Sequence, residues 1–188
     1  MEVTIPDRIS VLADVAEVVS QSHDLSETLA NVTDRVARRL NADVCSVYLT
    51  ATDLQHLTLR ATVGLDNRSV GQVRLAFGEG LVGLAAERGE TIATAHASQE
   101  PHYEYFPETG EERFESLVAA PLTIQGGIVG VLVIQSTESR GFGAEDIAAL
   151  ETCARLLAPI VMNAQLLDLG GRSEQERSQT LSRLGESG

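Results

Sequence analysis

The sequence predicts an α+β fold in which helices at both ends flank a cupped sheet closed by a long polar loop. Three observations carry this. Apolar residues recur at helical spacing before residue 41 and after residue 144, and at a period of two between them. A glycine-punctuated helix start, Gly78-Glu79-Gly80, interrupts the strands. The stretch 96–115 has no apolar period, and a connection of that length inside a domain is usually functional or disordered.

The elements follow in order. Ile5, Ile9, Leu12, Ala16 and Val19 form one stripe of a first helix, with Pro6 and Asp7 suited to its first turn. Asp24 is placed to cap the Glu27 amide of a second helix, whose buried face is Leu25, Leu29, Val32, Val36 and Leu40. After Asn41 the period changes. Val44, Ser46 and Tyr48 point to one side of a strand, and Cys45, Val47 and Leu49 to the other.

Leu54 to Val63 reads as the hairpin partner, with Leu57, Leu59 and Ala61 on one face, and Gln72 to Phe77 as a short third strand. Leu81 to Arg88 is a helix stopped by Gly89, and Thr91 to Ala95 returns as a strand. Two apolar strands, Leu117 to Gln125 and Ile128 to Ser136, are joined by Gly126-Gly127, whose glycines tolerate the positive φ of a tight turn. Pro121 has no amide to donate, so it marks an edge-facing position or a bulge.

A last helix, 144–169, carries Ile147, Leu150, Ala154, Leu157, Val161 and Ala164 in one stripe, widened by Leu156, Ile160 and Leu167. One face suits the sheet and another suits a partner. Pro159 lies inside it and should kink it. Residues 170–188 read as a polar linker or frayed end, leaving 1–169 as one domain with 1–22 as its N-terminal helix.

Composition narrows the function. The net charge of -13 opposes phosphate backbones and anionic membrane surfaces, and the Arg35, Arg38, Arg39 group reads as a solvated helix face. No run approaches 18 apolar residues and no signal-like N-terminus is visible, so a soluble cytoplasmic chain is expected. All 14 basic side chains are arginine, which rules out Schiff-base and phosphate-loop lysines within this chain. Cys45 and Cys153 lack metal spacing and read as buried reduced thiols. No cofactor and no metal is expected.

Gly78, Gly80 and Gly83 formally match a dinucleotide fingerprint, with Glu100 downstream. Glu79 would set a carboxylate against the pyrophosphate, and the strands are not joined as repeated βαβ units. The glycines read instead as a tight turn and close helix packing, although the helix N-terminus also suits a carboxylate ligand. His96 and His102 lie among Glu100, Glu104, Glu108, Glu111 and Glu112 without zinc spacing; they read as solvated residues or ligand hydrogen-bonders. Tyr103, Tyr105, Phe106 and Phe114 either anchor the loop on the sheet or wall a pocket. Arg113 offers a planar fork for a carboxylate, or a surface ion pair with Glu111 or Glu115. The candidate ligand-binding residues are therefore Tyr103, Arg113, His102, His96, Phe114 and Glu79; no catalytic set is complete.

The motifs VCSVYL at 44–49, LRATVGL at 59–65, VRLAFGEGLVGLAAE at 73–87, the 101–114 stretch ending EERF, and GGIVGVLVIQ at 126–135 resemble a GAF domain over roughly residues 8–167. More narrowly they resemble the N-terminal GAF domain of the nitrogen-branch phosphoenolpyruvate-protein phosphotransferases, paralogues of enzyme I. The resemblance implies an α/β/α sandwich: an antiparallel sheet of five or six strands, terminal helices on one face and a loop-covered pocket on the other. It also implies a sensory, non-catalytic domain of the nitrogen phosphotransferase system that controls phosphorylation by a downstream domain absent here. Glutamine or 2-oxoglutarate are the implied effectors, and the terminal helices the implied homodimer contact. The alternatives are a ligand-free dimerisation module and free methionine sulfoxide reductase, whose loop cysteines have no counterpart here. A cyclic-nucleotide GAF signature needs a lysine that the chain lacks, and bilin attachment needs a loop cysteine.

Overall fold

The computed structural model describes residues 11–18, 24–107, 109, 114–139 and 141–185, with the side chains of 168–185 excepted. Ile5, Ile9, Val19 and Arg113 fall outside them. Helix α1 (residues 11–18) leads into α2 (Leu25–Arg39), followed by strands β1 (Val44–Thr50), β2 (His56–Val63) and β3 (Arg74–Ala76). Helix α3 (Gly80–Arg88), β4 (Ile92–Thr94), the hairpin β5 (Ser116–Ile124) and β6 (Gly127–Ser136), and the long α4 (Ala144–Gly185) complete the order. The sheet has six strands in the order β3-β2-β1-β6-β5-β4, and every pairing is antiparallel.

The central strands divide the interior. Cys45, Val47 and Leu49 of β1, with Leu132 and Ile134 of β6, join Val11, Val15, Leu29, Val32, Val36, Leu150, Cys153, Ala154 and Leu157 in a helix-covered core. On the opposite face Tyr48, Leu57, Leu59, Leu75, Leu117, Val131 and Val133 pack against Leu81, Val82, Ala85 and Ala86 of α3. Both faces are covered, so β1 is buried at every position.

The helix starts and stops obey simple chemistry. The Glu27 amide donates to Asp24 Oδ2 at 3.2 Å, capping α2. Gly89 ends α3 at φ 64°, its amide donating to the Ala85 carbonyl at 2.9 Å. Gly83 lies so close to β3 that an added Cβ would meet the Ala76 carbonyl oxygen at 2.4 Å. The dinucleotide-like glycines thus serve close packing of helix on strand.

Several expectations shift by a residue. In α1 the buried stripe is Val11, Val15 and Val18, with Leu12 at its margin and Ala16 exposed. Both stripes have helical spacing, and packing against the helix-covered core selects Val11, Val15 and Val18. The β5–β6 turn is Gln125-Gly126, at φ 49° and 82°, with Gly127 already paired to Ile124. A two-residue hairpin needs positive φ at both central positions, so Gln125 adopts it without being glycine.

Between Val47 and Tyr48 the β1–β2 register skips Arg60. That bulge turns Ala61 to the helix-covered core while Leu57 and Leu59 face α3. Thr62 then faces Ser46, and their hydroxyls bond at 2.8 Å. Pro121 lies just beyond the last β4 partner, Ala119, and next to a second register shift after Leu122, where a missing donor is tolerated.

Helix α4 continues to Gly185, past the expected end at 169, because the straight-chain Glu, Gln, Arg and Leu residues after Gly171 favour helix. Its segment Ala144–Leu167 is long and apolar enough to pass for a membrane span by composition. That apolarity is spent on the sheet, where Leu150, Cys153, Ala154, Leu157, Ala158 and Val161 are buried. Gln165 Nε2 donates to the Thr50 carbonyl at 3.2 Å, and Thr91 Oγ1 donates to Glu151 Oε1 at 2.7 Å, fixing the helix on the sheet.

Two outcomes follow. Gly83→Ala should destabilise the domain by about 1–3 kcal/mol, since backbone must move to admit the methyl; thermal melting reads this. Burial pushes the Cys153 thiol up to about 12, and burial, with a smaller contribution from the neighbouring Cys153, raises the Cys45 thiol well above the ordinary range. A thiol whose folded value lies above its unfolded one favours the fold fully below the unfolded value, and that contribution is lost as pH rises. Melting temperature should therefore fall as pH climbs from 9.0 towards about 12. Neither thiol should react with an aromatic disulfide reagent at pH 8 until the chain is unfolded.

Candidate functional site

The face of the sheet away from α2 and α4 is where the polar loop returns. The pleat sends Tyr48 of β1, Leu75 of β3, Leu117 of β5 and Gln135 of β6 to the same side, and these four form the floor of a hollow. Leu81 and Val82 of α3 make one wall. Ala97, Tyr103, Glu104, Phe106 and Phe114 close over it.

Backbone contacts hold that cover. The Ala97 amide donates to the Glu115 carbonyl at 2.6 Å, and the Glu115 amide to Ser136 at 2.9 Å, so both ends of the loop are tied to the β5–β6 region. Tyr103 donates its amide to the Glu100 carbonyl at 3.0 Å. Buried Thr109 donates its hydroxyl to the Phe106 carbonyl at 2.7 Å. Phe106 in turn packs on the start of α3, where a Cβ on Gly80, at φ 62°, would meet its ring at 3.3 Å. A side chain at Gly80 would thus disturb both the turn and the cover.

The hollow has ≈ 420 Å³ of empty space when the part open to solvent is included. The enclosed part has room for on the order of one water. Its lining is mostly apolar and aromatic, with few polar groups. Gln135 is 5% exposed, and its Oε1 is buried with no hydrogen-bond partner among the described residues. Tyr48 is 2% exposed. Glu104 supplies a carboxylate, and no cationic side chain is among the described lining residues.

Of the residues singled out from sequence, Tyr103 and Phe114 line the hollow. His96 and His102 are exposed, and neither is part of the lining. Glu79 also lies off the lining: its Oε2 accepts the Ala76 amide at 2.5 Å, pinning the turn from β3 into α3. Arg113 lies outside the described residues. Tyr48 and Gln135 were not singled out, yet each carried a signal. Tyr48 shares its alternation with Val44 and Ser46, and Gln135 is a polar residue closing the apolar run Ile128 to Ile134.

Cys45 and Cys153 belong to the helix-covered core, on the other side of the sheet from the hollow. No group of three His, Cys, Asp or Glu residues placed to hold a metal occurs among the described residues.

Known proteins agree with this architecture. The model of the GAF domain family matches residues 24–161. The chain is 34% identical over 170 residues to a phosphoenolpyruvate-dependent phosphotransferase system protein of Escherichia coli K12, covering 90% of this chain and 23% of that protein. It therefore spans about a quarter of the length of that curated relative. The GAF domain of a phosphoenolpyruvate-protein phosphotransferase from Coxiella burnetii superposes with a TM-score of 0.82 at 35% identity, covering 87% of this chain and 98% of that one. Free methionine-R-sulfoxide reductase from Neisseria meningitidis, in complex with its substrate, shares the fold with a TM-score of 0.74 at 21% identity, covering 89% and 96%. The match of the GAF domain model over residues 24–161, together with 34% identity across 90% of the chain, places this chain in the GAF domain family.

Proposed function

We propose that this chain is a regulatory, non-catalytic GAF domain that senses a small solute in the hollow above β1, β5 and β6. It serves, on this reading, a cytoplasmic phosphoenolpyruvate-protein phosphotransferase of the nitrogen phosphotransferase system and controls phosphorylation by a downstream domain. The observation that carries the reading is an apolar, aromatic-walled hollow on the sheet face opposite α4, with an amide oxygen that has no partner among the described residues. Glutamine and 2-oxoglutarate are the effectors proposed, with Tyr103 and Phe114 against the solute and Arg113 as carboxylate partner. His96 and His102 would act at the rim and Glu79 through the turn that it pins.

An amino-acid-sized solute exceeds the space enclosed here, so binding requires Tyr103 and Phe106 to withdraw from the floor. The strands provide the route outward. In β6, Gln135 faces the hollow while Leu132 and Ile134 face the helix core, so a shift of the strand reaches α4 directly. Occupancy changes the helices only if the two arrangements bind the solute unequally.

A second reading is a dimerisation module without ligand. It is favoured by Leu166 and Leu167 of α4, 57% and 78% exposed, which suit a second copy. The reductase reading lacks support from the thiols, which sit across the sheet from the hollow.

Calorimetry with L-glutamine and with 2-oxoglutarate separates these. Sensing requires measurable heat with one of them at millimolar concentration, and no heat with either contradicts it. Tyr103→Ala and Arg113→Ala should each weaken binding by roughly 5–30-fold, while sedimentation shows the same assembly state as the unaltered chain.

A further inference from the structure

We propose that Gln135 is the specificity-determining contact of the hollow, its Oε1 accepting a hydrogen bond from an N–H-bearing head, ammonium or primary amide, of a small ligand. This rests on the sensing reading and decides between chemical classes within it. A dicarboxylic oxoacid presents only acceptors and leaves that oxygen unpaired, so it binds more weakly.

The argument begins with position. Gln135 sits inside a paired ladder, with Leu117 of β5 on one side and Val44 of β1 on the other. Its carbonyl takes the Asp43 amide at 3.0 Å. Neighbours Val133 and Ile134 are buried on opposite faces. The strand cannot rotate this residue to solvent without exposing them, so the pleat commits the side chain to the hollow.

Commitment has a cost. An amide oxygen buried without a partner loses its water bonds and gains nothing, and nearly all buried polar atoms in folded proteins avoid this. Oε1 of Gln135 is such an atom among the described residues. A methionine or leucine would fill the same strand position at no such cost, so the amide weakens the empty state and has value where something brings a donor.

The surroundings select the donor. Tyr48, Tyr103, Phe106 and Phe114 present aromatic rings, whose faces attract N–H groups and cations. Glu104 adds a negative charge, and among the described lining residues no cation offsets it. A carboxylate brought up to Oε1 has no hydrogen to give it and would lie near the Glu104 charge.

The test uses the full chain with Gln135→Met and Gln135→Glu, titrated with L-glutamine, which carries N–H donors, and 2-oxoglutarate, which carries none. The unaltered chain should bind L-glutamine at least ~10-fold more tightly than 2-oxoglutarate. Gln135→Met should lose roughly 10-fold or more for L-glutamine and, without ligand, melt at the same or a higher temperature. Gln135→Glu keeps an acceptor and should retain binding.

Wild-type affinity for L-glutamine in Gln135→Met overturns the proposal, because a water then satisfies the amide. So does tighter binding of 2-oxoglutarate by the unaltered chain, or a lowered melting point of ligand-free Gln135→Met, which would mark a structural role. In these cases sensing itself stands. An unaltered chain that binds neither probe removes the sensing reading and this proposal together.

Discussion

The pleat of β1 and β6 is the constraint on which the rest of the structure depends. Successive residues of a strand face opposite sides, and both strands lie in the middle of the sheet with partners on each edge. One short sequence therefore has to satisfy two different environments. Cys45, Val47 and Leu49 enter a helix-covered core, and the residues between them enter the hollow side. A slip of one residue would exchange the two sets and put Tyr48 and Gln135 beneath α4.

The two sides are chemically unlike. Beneath the helices, apolar side chains meet apolar side chains, and even the thiols of Cys45 and Cys153 are held neutral by burial. On the other side aromatic rings surround a small space with an amide oxygen that has no partner among the described residues. Dense packing on the helix side transmits displacement, while the free space on the hollow side allows it. That division is what the proposed sensing role requires.

Much of this was readable from residues, and the failures have physical causes. The Asp24 cap, the Gly89 stop and the β1 alternation all depend on local chemistry, and the structure has them at the expected positions. The Arg60 bulge was not visible, because it arises from the pairing of β1 with β2 and not from either strand alone. The α1 stripe was ambiguous for a similar reason: 3–4 spacing fits two neighbouring stripes, and only the packing partner selects Val11, Val15 and Val18. In the site, the loop residues drew attention by polarity. His96 and His102 are exposed, as polar loop residues commonly are, and Gln135 is unusual because it is buried. Polarity in a loop says little about recognition; polarity within an apolar strand says more.

The central claim is that the hollow receives a solute whose donor completes the Gln135 amide. A crystal structure of the chain grown with a saturating small amino acid tests it most directly. The account predicts density above Tyr48 with a nitrogen within about 3.2 Å of Gln135 Oε1, and the rings of Tyr103 and Phe106 drawn back. A hollow filled by those two rings, with Gln135 accepting from a protein donor, would contradict it.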